Sequence, residues 1–153
     1  MSRRALRISC LPFSALSGAQ IYEILALRSA VFVVEQQCIY QDIDGNDALA
    51  LHLLLTNDEG LLVAYARLFD TNVRFAGHQG IGRVIVRAEH RGSGVARLLM
   101  EQALAQCEKE FGPGSVFIEA QEHLRDFYAS LGFVVSGPAF IEDGIPHLPM
   151  LRA

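Results

Sequence analysis

A glycine-rich segment, Arg91-Gly92-Ser93-Gly94-Val95-Ala96, lies between a β-branched run and the longest helical pattern of the chain. The first turn of a helix has unpaired N–H groups and a partial positive charge, and glycines let a ligand approach the backbone closely. This glycine loop (residues 91–96) therefore predicts a site for an anion, most simply a phosphate. The alternative is a loop that only caps the helix, with Ser93 as the N-cap.

Two common phosphate-binding designs do not fit the glycine loop. A Walker loop needs a lysine directly after its last glycine, but the single lysine of the chain is Lys109, late in the helical pattern. A dinucleotide-binding fingerprint needs a third glycine, where Arg97 stands, and an acidic residue after the next strand, for which Glu119 comes late. The scarcity of lysine also argues against kinase and pyridoxal chemistry.

The composition is that of one globular domain. The chain has 153 residues, of which 51% are hydrophobic and 20% are charged, and its formal net charge is −4 at pH 7. The length predicts one domain over residues 1–153, and the acidic balance argues against nucleic acid as a partner. No run approaches the roughly 18 apolar residues of a membrane-spanning helix, so no membrane partner is expected.

The cysteines and the first residues favour a cytoplasmic protein. Cys10, Cys38 and Cys107 are widely spaced, which is typical of free thiols in a reducing compartment and not of a disulfide framework or a zinc site. The pair Arg3-Arg4 resembles a twin-arginine signal, but the polar residues that follow, beginning with Arg7, leave no apolar core for a signal peptide.

Hydrophobic periodicity predicts the elements that must position the glycine loop. Helices are predicted over residues 18–29, 31–37, 94–111 and 122–131. Strands are predicted over residues 6–11, 49–56, 61–69, 80–86, 116–120, 133–136 and 145–152. This order gives a mixed α/β fold in which the fourth and fifth strands are parallel and joined by a right-handed crossover. Edge strands near both termini would allow two copies to pair as a homodimer.

A second segment, Phe127-Tyr128-Ala129-Ser130-Leu131-Gly132-Phe133, follows the glycine loop on a predicted helix. The two segments together resemble the GNAT superfamily of acyl-CoA-dependent N-acyltransferases, whose motifs are Arg/Gln-x-x-Gly-x-Gly/Ala and Phe-Tyr-x-x-Leu-Gly-Phe. Several other segments resemble the ElaA-like branch of that superfamily, at residues 27–36, 40–45, 64–67, 81–86 and 142–147. The resemblance covers nearly the whole chain.

The resemblance implies a GNAT fold with a mixed central sheet of about six to seven strands, flanked by helices, and a V-shaped splay between the fourth and fifth strands. It implies acetyl-CoA as the co-substrate, an amine of an unidentified small molecule or peptide as the acceptor, and no metal. The pantetheine arm would lie along Val84, Ile85 and Val86, where a backbone N–H would polarise the thioester carbonyl. The pyrophosphate would lie on Arg91, Gly92, Ser93, Gly94, Val95 and Ala96.

The same resemblance makes Tyr128 the candidate general acid. The thiolate of CoA must be protonated as it leaves, and a phenol with a pKa of about 10 is suited to this. The alternative is a half-buried helical tyrosine with its hydroxyl at the surface. Gln121 stands where many relatives carry an asparagine that contacts the cofactor, and its longer amide is expected to reach the same place.

The acceptor amine must lose a proton before it attacks. With a pKa near 10.4, only about one amine in 2,500 is neutral at pH 7, a handicap of about 4.6 kcal/mol. Glu119, near the end of the fifth strand, would take this proton directly or through water. Glu35 and His147 are its rivals, and for each of the three a surface or turn position is the alternative.

Three arginines are candidates for the acceptor side of the site. Arg28, Arg67 and Arg83 would favour an acidic acceptor, although Arg67 and Arg83 could instead pair with acidic residues of the chain. The aspartates of residues 42–47 are spaced somewhat like a calcium loop, but Asp47 takes the place of its sixth-position glycine. They are expected to form a solvated turn.

Two other functions stay open at this point. One is a non-catalytic CoA-binding module with the same fold. The other is an acyl-homoserine-lactone synthase, because Arg28-x-x-Val31-Phe32 also resembles that family, although this chain has no tryptophan.

Overall fold

The computed structural model describes residues 6–153. The arginine pair compared above with a signal peptide lies outside the described residues. The strands are β1 (Arg7–Pro12), β2 (Leu51–Thr56), β3 (Leu62–Phe69), β4 (Gln79–Val86), β5 (Val116–Gln121), β6 (Val134–Val135), β7 (Phe140–Glu142) and β8 (Ile145–Arg152). The helices are α1 (Gly18–Arg28), α2 (Val95–Phe111) and α3 (Arg125–Ala129).

One mixed sheet joins all eight strands in the order β1-β2-β3-β4-β5-β8-β6, with β7 paired to the remaining part of β8. Every pair is antiparallel except β4–β5. Helices α2 and α3 pack on one face of the sheet and α1 packs on the other, so two separate cores form. The predicted fold class is thus confirmed.

A capping box defines the start of the first helix, and the helix continues into a π-helical segment. Ser17 accepts a hydrogen bond from the backbone of Gln20, and the Gln20 side chain accepts one from the backbone of Ser17, which forms a capping box. The helix continues without a break into a π-helical segment, Ser29–Glu35. The prediction of a separate helix over residues 31–37 is therefore wrong. These residues are helical up to Glu35, but they continue the helix that begins at Gly18, although several of them are β-branched.

Two other differences from the predicted elements concern the C-terminal third. The helix predicted over residues 122–131 is a 3₁₀ turn, Glu122–Leu124, followed by the short α3. Strand β7 was missed because it is only three residues long and too short to show alternation. It forms a hairpin with β8 through Asp143 and Gly144, whose φ angles of 51° and 78° are both in the left-handed region, as a tight two-residue turn requires.

The splay between β4 and β5 is present. These two parallel strands pair only at Gln79–Val116 and Gly80–Phe117. Beyond Gly80 the register of β4 against β3 shifts, so that Arg83 and Val84 both lie opposite Ala66. This is a β-bulge, which bends a strand and increases its twist. The remainder of β5 pairs with β8 on its other edge, so a V-shaped cleft opens between β4 and β5.

Buried ion pairs fix the segment that precedes β2. Arg28, with a fully buried side chain, donates from Nε to Oδ2 of Asp42 (2.8 Å) and from Nη1 to Oδ1 of Asp47 (2.6 Å). Arg67, with 1% of its side chain exposed, donates to both carboxylate oxygens of Asp44 and from Nη1 to Asp47 (3.0 Å). Two guanidinium groups thus share the carboxylate of Asp47.

Arg83 completes this aspartate–arginine cluster (Arg28, Arg67, Arg83, Asp42, Asp44 and Asp47). Its Nε lies 2.7 Å from Oδ1 of Asp42, and its Nη2 donates to the backbone carbonyl of Asp42 (3.0 Å). The expected solvated turn is wrong, because Asp42 is buried and all three carboxylates are held by arginines. Arg67 and Arg83 therefore pair with aspartates of the chain, which was the alternative to a role on the acceptor side.

We expect Asp47→Ala to lower the free energy of unfolding by about 3 kcal/mol, because removal of one partner from a buried ion pair leaves charge uncompensated. Urea denaturation at pH 7 measures this effect. Asp58→Ala, in the exposed turn between β2 and β3, is the control and should change the unfolding midpoint little. Equal midpoints for the two variants would show that the cluster does not stabilise the fold.

Acid should erase the difference between Asp47→Ala and the unmodified protein. Burial is the largest single influence and would raise the pKa of Asp47, but the hydrogen bonds and charges of Arg28 and Arg67 together outweigh it and hold that pKa below the ordinary value of 3.8. A lowered folded-state pKa gives stability that is complete above the ordinary pKa and is lost as the pH falls below it. The destabilisation by Asp47→Ala should therefore shrink as the pH falls below about 4.

Candidate active site

The inner edge of β4 offers backbone groups to the cleft. Ile85 and Val86 pair with Tyr65 and Ala64 of β3 on one edge, but on the other edge no described strand pairs with the part of β4 beyond Gly80. Ile85 exchanges its backbone hydrogen bonds with Tyr65, so the peptide groups that face the V are those of its neighbours, such as the N–H group of Val86. They can hydrogen-bond an extended chain, such as a pantetheine arm, that runs between β4 and β5.

The glycine loop forms a cradle of backbone N–H groups at the start of α2. Gly92 and Gly94 have φ angles of 79° and 82°, in the left-handed region that residues with a side chain rarely adopt. Within the described chain, no acceptor is hydrogen-bonded to the backbone N–H groups of residues 92–97. A Cβ placed on Gly92 would meet nothing within 4 Å. The cradle is therefore open and fits a diphosphate.

Ser93 does not cap the helix. The N-cap is Gly94, and its N-terminal groups receive no side-chain hydrogen bond. The hydroxyl of Ser93 instead donates to the carbonyl of His90 (2.6 Å). The alternative interpretation of the loop as a simple serine cap is therefore wrong.

Arg91 ties the glycine loop to the end of β4. Its Nε donates to the carbonyl of Val86 (3.0 Å), and its Nη1 lies 2.8 Å from Oε2 of Glu35. Both side chains are 42% exposed. Glu35, considered above as a rival base on the acceptor side, is thus placed beside the glycine loop by the π-helical segment.

Tyr128 lies in the core on the α2 side of the sheet. Its ring is buried among Phe127 and Phe133 in edge-to-face contacts, with ring centroids at 5.1 and 6.0 Å. None of the described residues hydrogen-bonds its hydroxyl, and burial raises its pKa to about 12. The phenol is therefore protonated at neutral pH, and burial makes it a weaker acid than an exposed tyrosine.

Glu119 and Gln121 point to the other face of the sheet, because side chains alternate along β5 and Ile118 and Ala120 fill the α2 core. The amides of Gln121 and Gln36 exchange hydrogen bonds at 3.3 and 3.4 Å. This contact joins β5 to the end of the π-helical segment and holds Gln121 at the mouth of the cleft.

Glu119 is half-buried and has charged neighbours on several elements. Burial raises the pKa of Glu119, the charge of Glu142 raises it further, and Arg74, His147 and Arg83 partly offset these effects. A carboxylate with a raised pKa is a stronger base than an ordinary one.

His147 lies opposite Gln121 on β8. Its Nδ1 is 2.7 Å from the carbonyl of Ile145, and its ring stacks on Phe140 at 5.6 Å. These contacts fix the orientation of the imidazole, which lies on the same face of the sheet as Glu119.

The structure thus brings Glu119, Gln121, Arg83 and His147 to one face of the open sheet and Tyr128 to the other. It does not bring Arg28 or Arg67 there, since both are buried in the aspartate–arginine cluster. Sequence reasoning missed Glu142 and Gln36. Gly82, which lies inside the strand pattern directly before the bulge, was the signal for it.

Within residues 6–153, no three or more histidine, cysteine or acidic side chains converge as a metal site would require. None of the helices in the described part of the chain combines the length and apolarity that a membrane crossing needs.

Comparison with known proteins adds a family match. The family model described as an acetyltransferase (GNAT) domain matches residues 15–152. Protein ElaA of Escherichia coli K12 is 46% identical over 142 residues, which cover 91% of each chain. Its crystal structure superposes with a TM-score of 0.90 at 41% identity, over 97% of this chain and 99% of that chain.

Two further solved structures share the fold, one at high and one at low sequence identity. An acyl-CoA N-acyltransferase from Pseudomonas aeruginosa superposes with a TM-score of 0.91 at 41% identity, over 97% of this chain and 99% of that chain. The acyl-homoserine-lactone synthase LasI superposes with a TM-score of 0.75 but at 18% identity, over 95% and 88%. The likeness to the synthase is one of fold alone.

Proposed function

The chain belongs to the GNAT acetyltransferase family, and from that premise we propose that it is an acetyl-CoA-dependent N-acetyltransferase. Transfer of an acyl group from acyl-CoA is the chemistry of the family. Acetyl as the acyl group and a primary amine of a small molecule or peptide as the acceptor are the proposal. The observation that carries it is the open cleft between β4 and β5, which leads to a cradle of unpaired N–H groups.

Each part of acetyl-CoA has a proposed partner in the cleft. The N–H groups of residues 92–97 hold the pyrophosphate, with the charge of Arg91 nearby. The inner edge of β4 at Val84, Ile85 and Val86 binds the pantetheine arm, and one of its N–H groups donates to the thioester carbonyl as the oxygen becomes negative. Gln121 contacts the same arm from β5.

The reaction we propose is direct attack of the amine on the thioester. Glu119 takes a proton from the ammonium group, the neutral nitrogen bonds to the carbonyl carbon, and the carbon–sulfur bond then breaks. Tyr128 gives its proton to the departing sulfur, so that CoA leaves as a thiol. The nitrogen, positively charged after the attack, loses its second proton to water as the amide forms, water restores the proton of Tyr128, and Glu119 releases its proton to solvent. A thioester held where β4 and β5 separate would lie between an acid on one face of the sheet and a base on the other.

The acceptor we propose is a cationic amine. An acidic acceptor was expected from Arg28, Arg67 and Arg83, but these guanidinium groups are paired with aspartates. The carboxylates of Glu119 and Glu142 stand on the acceptor face instead, where they would attract an ammonium group. His147 is proposed to border the same site.

We also propose that the enzyme is one GNAT domain over residues 1–153 and that it is cytoplasmic, which the three free thiols support. Pairing of two copies through the edge strands β1 or β6 stays a prediction.

Calorimetry with acetyl-CoA, followed by a screen for release of free CoA, tests the proposal. The screen takes amino acids, polyamines, peptides and aminoglycosides as acceptors. Binding of acetyl-CoA and turnover with at least one amine are expected. A folded protein that binds no acetyl-CoA would contradict the proposal, and binding without turnover by any amine would favour a CoA-binding module.

Replacement of the proposed acid tests the role of Tyr128. We expect Tyr128→Phe to lower kcat roughly 100-fold, because the thiolate loses its proton donor, while the dissociation constant for acetyl-CoA stays within about twofold. Tyr22→Phe is the control, since Tyr22 is 79% exposed on α1. Full kcat in Tyr128→Phe would remove this residue from the mechanism.

A carboxylate in the cradle should block the cofactor. We expect Gly94→Asp to weaken CoA binding roughly 100-fold or more, or about 2.7 kcal/mol, because like charges would meet at the pyrophosphate. Gly60→Asp is a matched control, since Gly60 also has a φ of 82° and open space around its Cα. The two variants share the backbone strain, so equal CoA affinity in calorimetry would refute the cradle as the pyrophosphate site.

The pH profile tests the proposed base. Glu119 acts only when ionised, so kcat/KM should rise with pH through its pKa, and this limb should lie above the ordinary glutamate value of 4.5 because the pKa is raised. Glu119→Gln should abolish the limb and lower kcat roughly 100-fold.

Glu142→Gln provides the matched comparison. The charge of Glu142 raises the pKa of Glu119, so its removal should move the limb to lower pH without abolishing it. Ionisation of the amine acceptor contributes equally in all three proteins. A limb that survives unchanged in Glu119→Gln assigns the proton transfer to another group.

A further inference from the structure

Arg83 has an unusual backbone conformation for a residue inside a strand. Its φ is +49°, in the left-handed region that non-glycine residues rarely adopt. The other non-glycine residues of the described chain with positive φ are Gln37, Asn72 and Asp143, and all three lie in turns. Such a conformation persists only where the surrounding structure enforces it.

The strained residue is part of the bulge that opens the cleft. Arg83 and Val84 together face Ala66, and the regular register resumes at Ile85 opposite Tyr65. The peptide that follows Arg83 joins the two residues of the bulge. The direction of its N–H group, and of the groups after it, is therefore set by the φ and ψ angles of Arg83.

The side chain of Arg83 is held from several sides. Its Nε lies 2.7 Å from Oδ1 of Asp42, and its Nη2 donates to the carbonyl of Asp42 (3.0 Å) and lies 3.6 Å from Oδ2 of Asp44. Its guanidinium group lies over the rings of Phe32 and Tyr40, at 5.9 and 5.8 Å from their centroids. The position of this side chain is therefore fixed by charge and by packing.

The partner of Arg83 is anchored independently. Asp42 accepts from Nε of Arg28 on Oδ2 (2.8 Å), its carbonyl accepts from Nη2 of Arg28 (3.1 Å), and its Oδ1 accepts from the hydroxyl of Tyr40 (3.0 Å). A continuous set of contacts thus runs from the buried end of α1, through Asp42, to the strained residue in β4.

We propose that Arg83 is a positioning residue: its clamp on Asp42 holds the β4 bulge in the left-handed conformation that aims the cleft-facing backbone N–H groups beyond the bulge, such as that of Val86, at the thioester carbonyl. The inference rests on the function proposed above and adds a residue that acts through the backbone without touching the substrate. The clamp opposes relaxation of the strand, which would turn these donors away from the cleft.

Two substitutions at the same position separate backbone conformation from charge. Arg83→Ala and Arg83→Gly lose the same ion pairs, but glycine adopts a φ of +49° without steric strain and alanine does not. We expect Arg83→Ala to lower kcat 10- to 100-fold and Arg83→Gly to recover at least fivefold of that loss. Both variants should still bind CoA through the unchanged glycine loop, and Arg83→Gly should bind it within about twofold of the unmodified protein.

The backbone amide resonances of Val84 and Ile85, measured by NMR without ligand, provide a readout besides activity. They should move in Arg83→Ala and stay close to their original positions in Arg83→Gly. Asp42→Asn, which keeps the backbone carbonyl and removes the charge, should shift the same resonances and tests the clamp if Arg83→Ala does not fold. Unmoved resonances in Asp42→Asn would contradict the clamp.

Asn72 provides the matched control pair. It has a φ of 70° in the turn between β3 and β4, so Asn72→Ala and Asn72→Gly repeat the change in backbone strain away from the cleft. The two Asn72 variants should differ from each other in stability but have the same kcat.

Equal kcat for Arg83→Ala and Arg83→Gly, or full kcat in Arg83→Ala, would overturn the inference. An unmodified protein without acyltransfer activity would refute the proposed function, and the amide resonances would then decide the inference alone.

Discussion

The divergence of β4 from β5 after Gly80 is the constraint on which the rest of the site depends. A parallel pair usually continues its hydrogen bonds along both strands. Here β5 pairs with β8 on its other edge over residues 116–121, and the bulge turns β4 away. Backbone groups of β4 are left without a strand partner. Polar backbone groups need a partner when they are buried, so a ligand in the cleft would satisfy groups that the sheet leaves open.

The aspartate–arginine cluster connects this opening to the rest of the fold. A guanidinium group presents several donors in one plane, so a single arginine can bind two carboxylates, or a carboxylate and a carbonyl. Arg28 and Arg83 both use this geometry on Asp42, and Arg67 uses it on Asp44 and Asp47. A lysine, with a single charged atom, would not hold the same partners, and the chain has only one.

The sequence was informative about local structure and much less about which residues meet. The glycine loop, the strand Ile145–Arg152 and the start of α1 were each predictable because a local pattern specifies them. The contact between Gln36 and Gln121 joins residues 85 positions apart, and no periodicity reports such a pairing. The arginines were recognised as unusual, but whether they faced a substrate or the aspartates depended on the path of the segment before β2. Tyr128 was found through a family motif, and its burial only through the structure.

The most direct test of the account is amide hydrogen exchange, measured by NMR residue by residue with and without CoA. If backbone N–H groups hold the cofactor, CoA should slow exchange at residues 92–97 and at the cleft-facing N–H groups of β4 beyond the bulge, such as that of Val86. Exchange in the hairpin of β2 and β3 should not change. Binding of CoA with no added protection at residues 92–97 would contradict the account, because the pyrophosphate would then lie elsewhere.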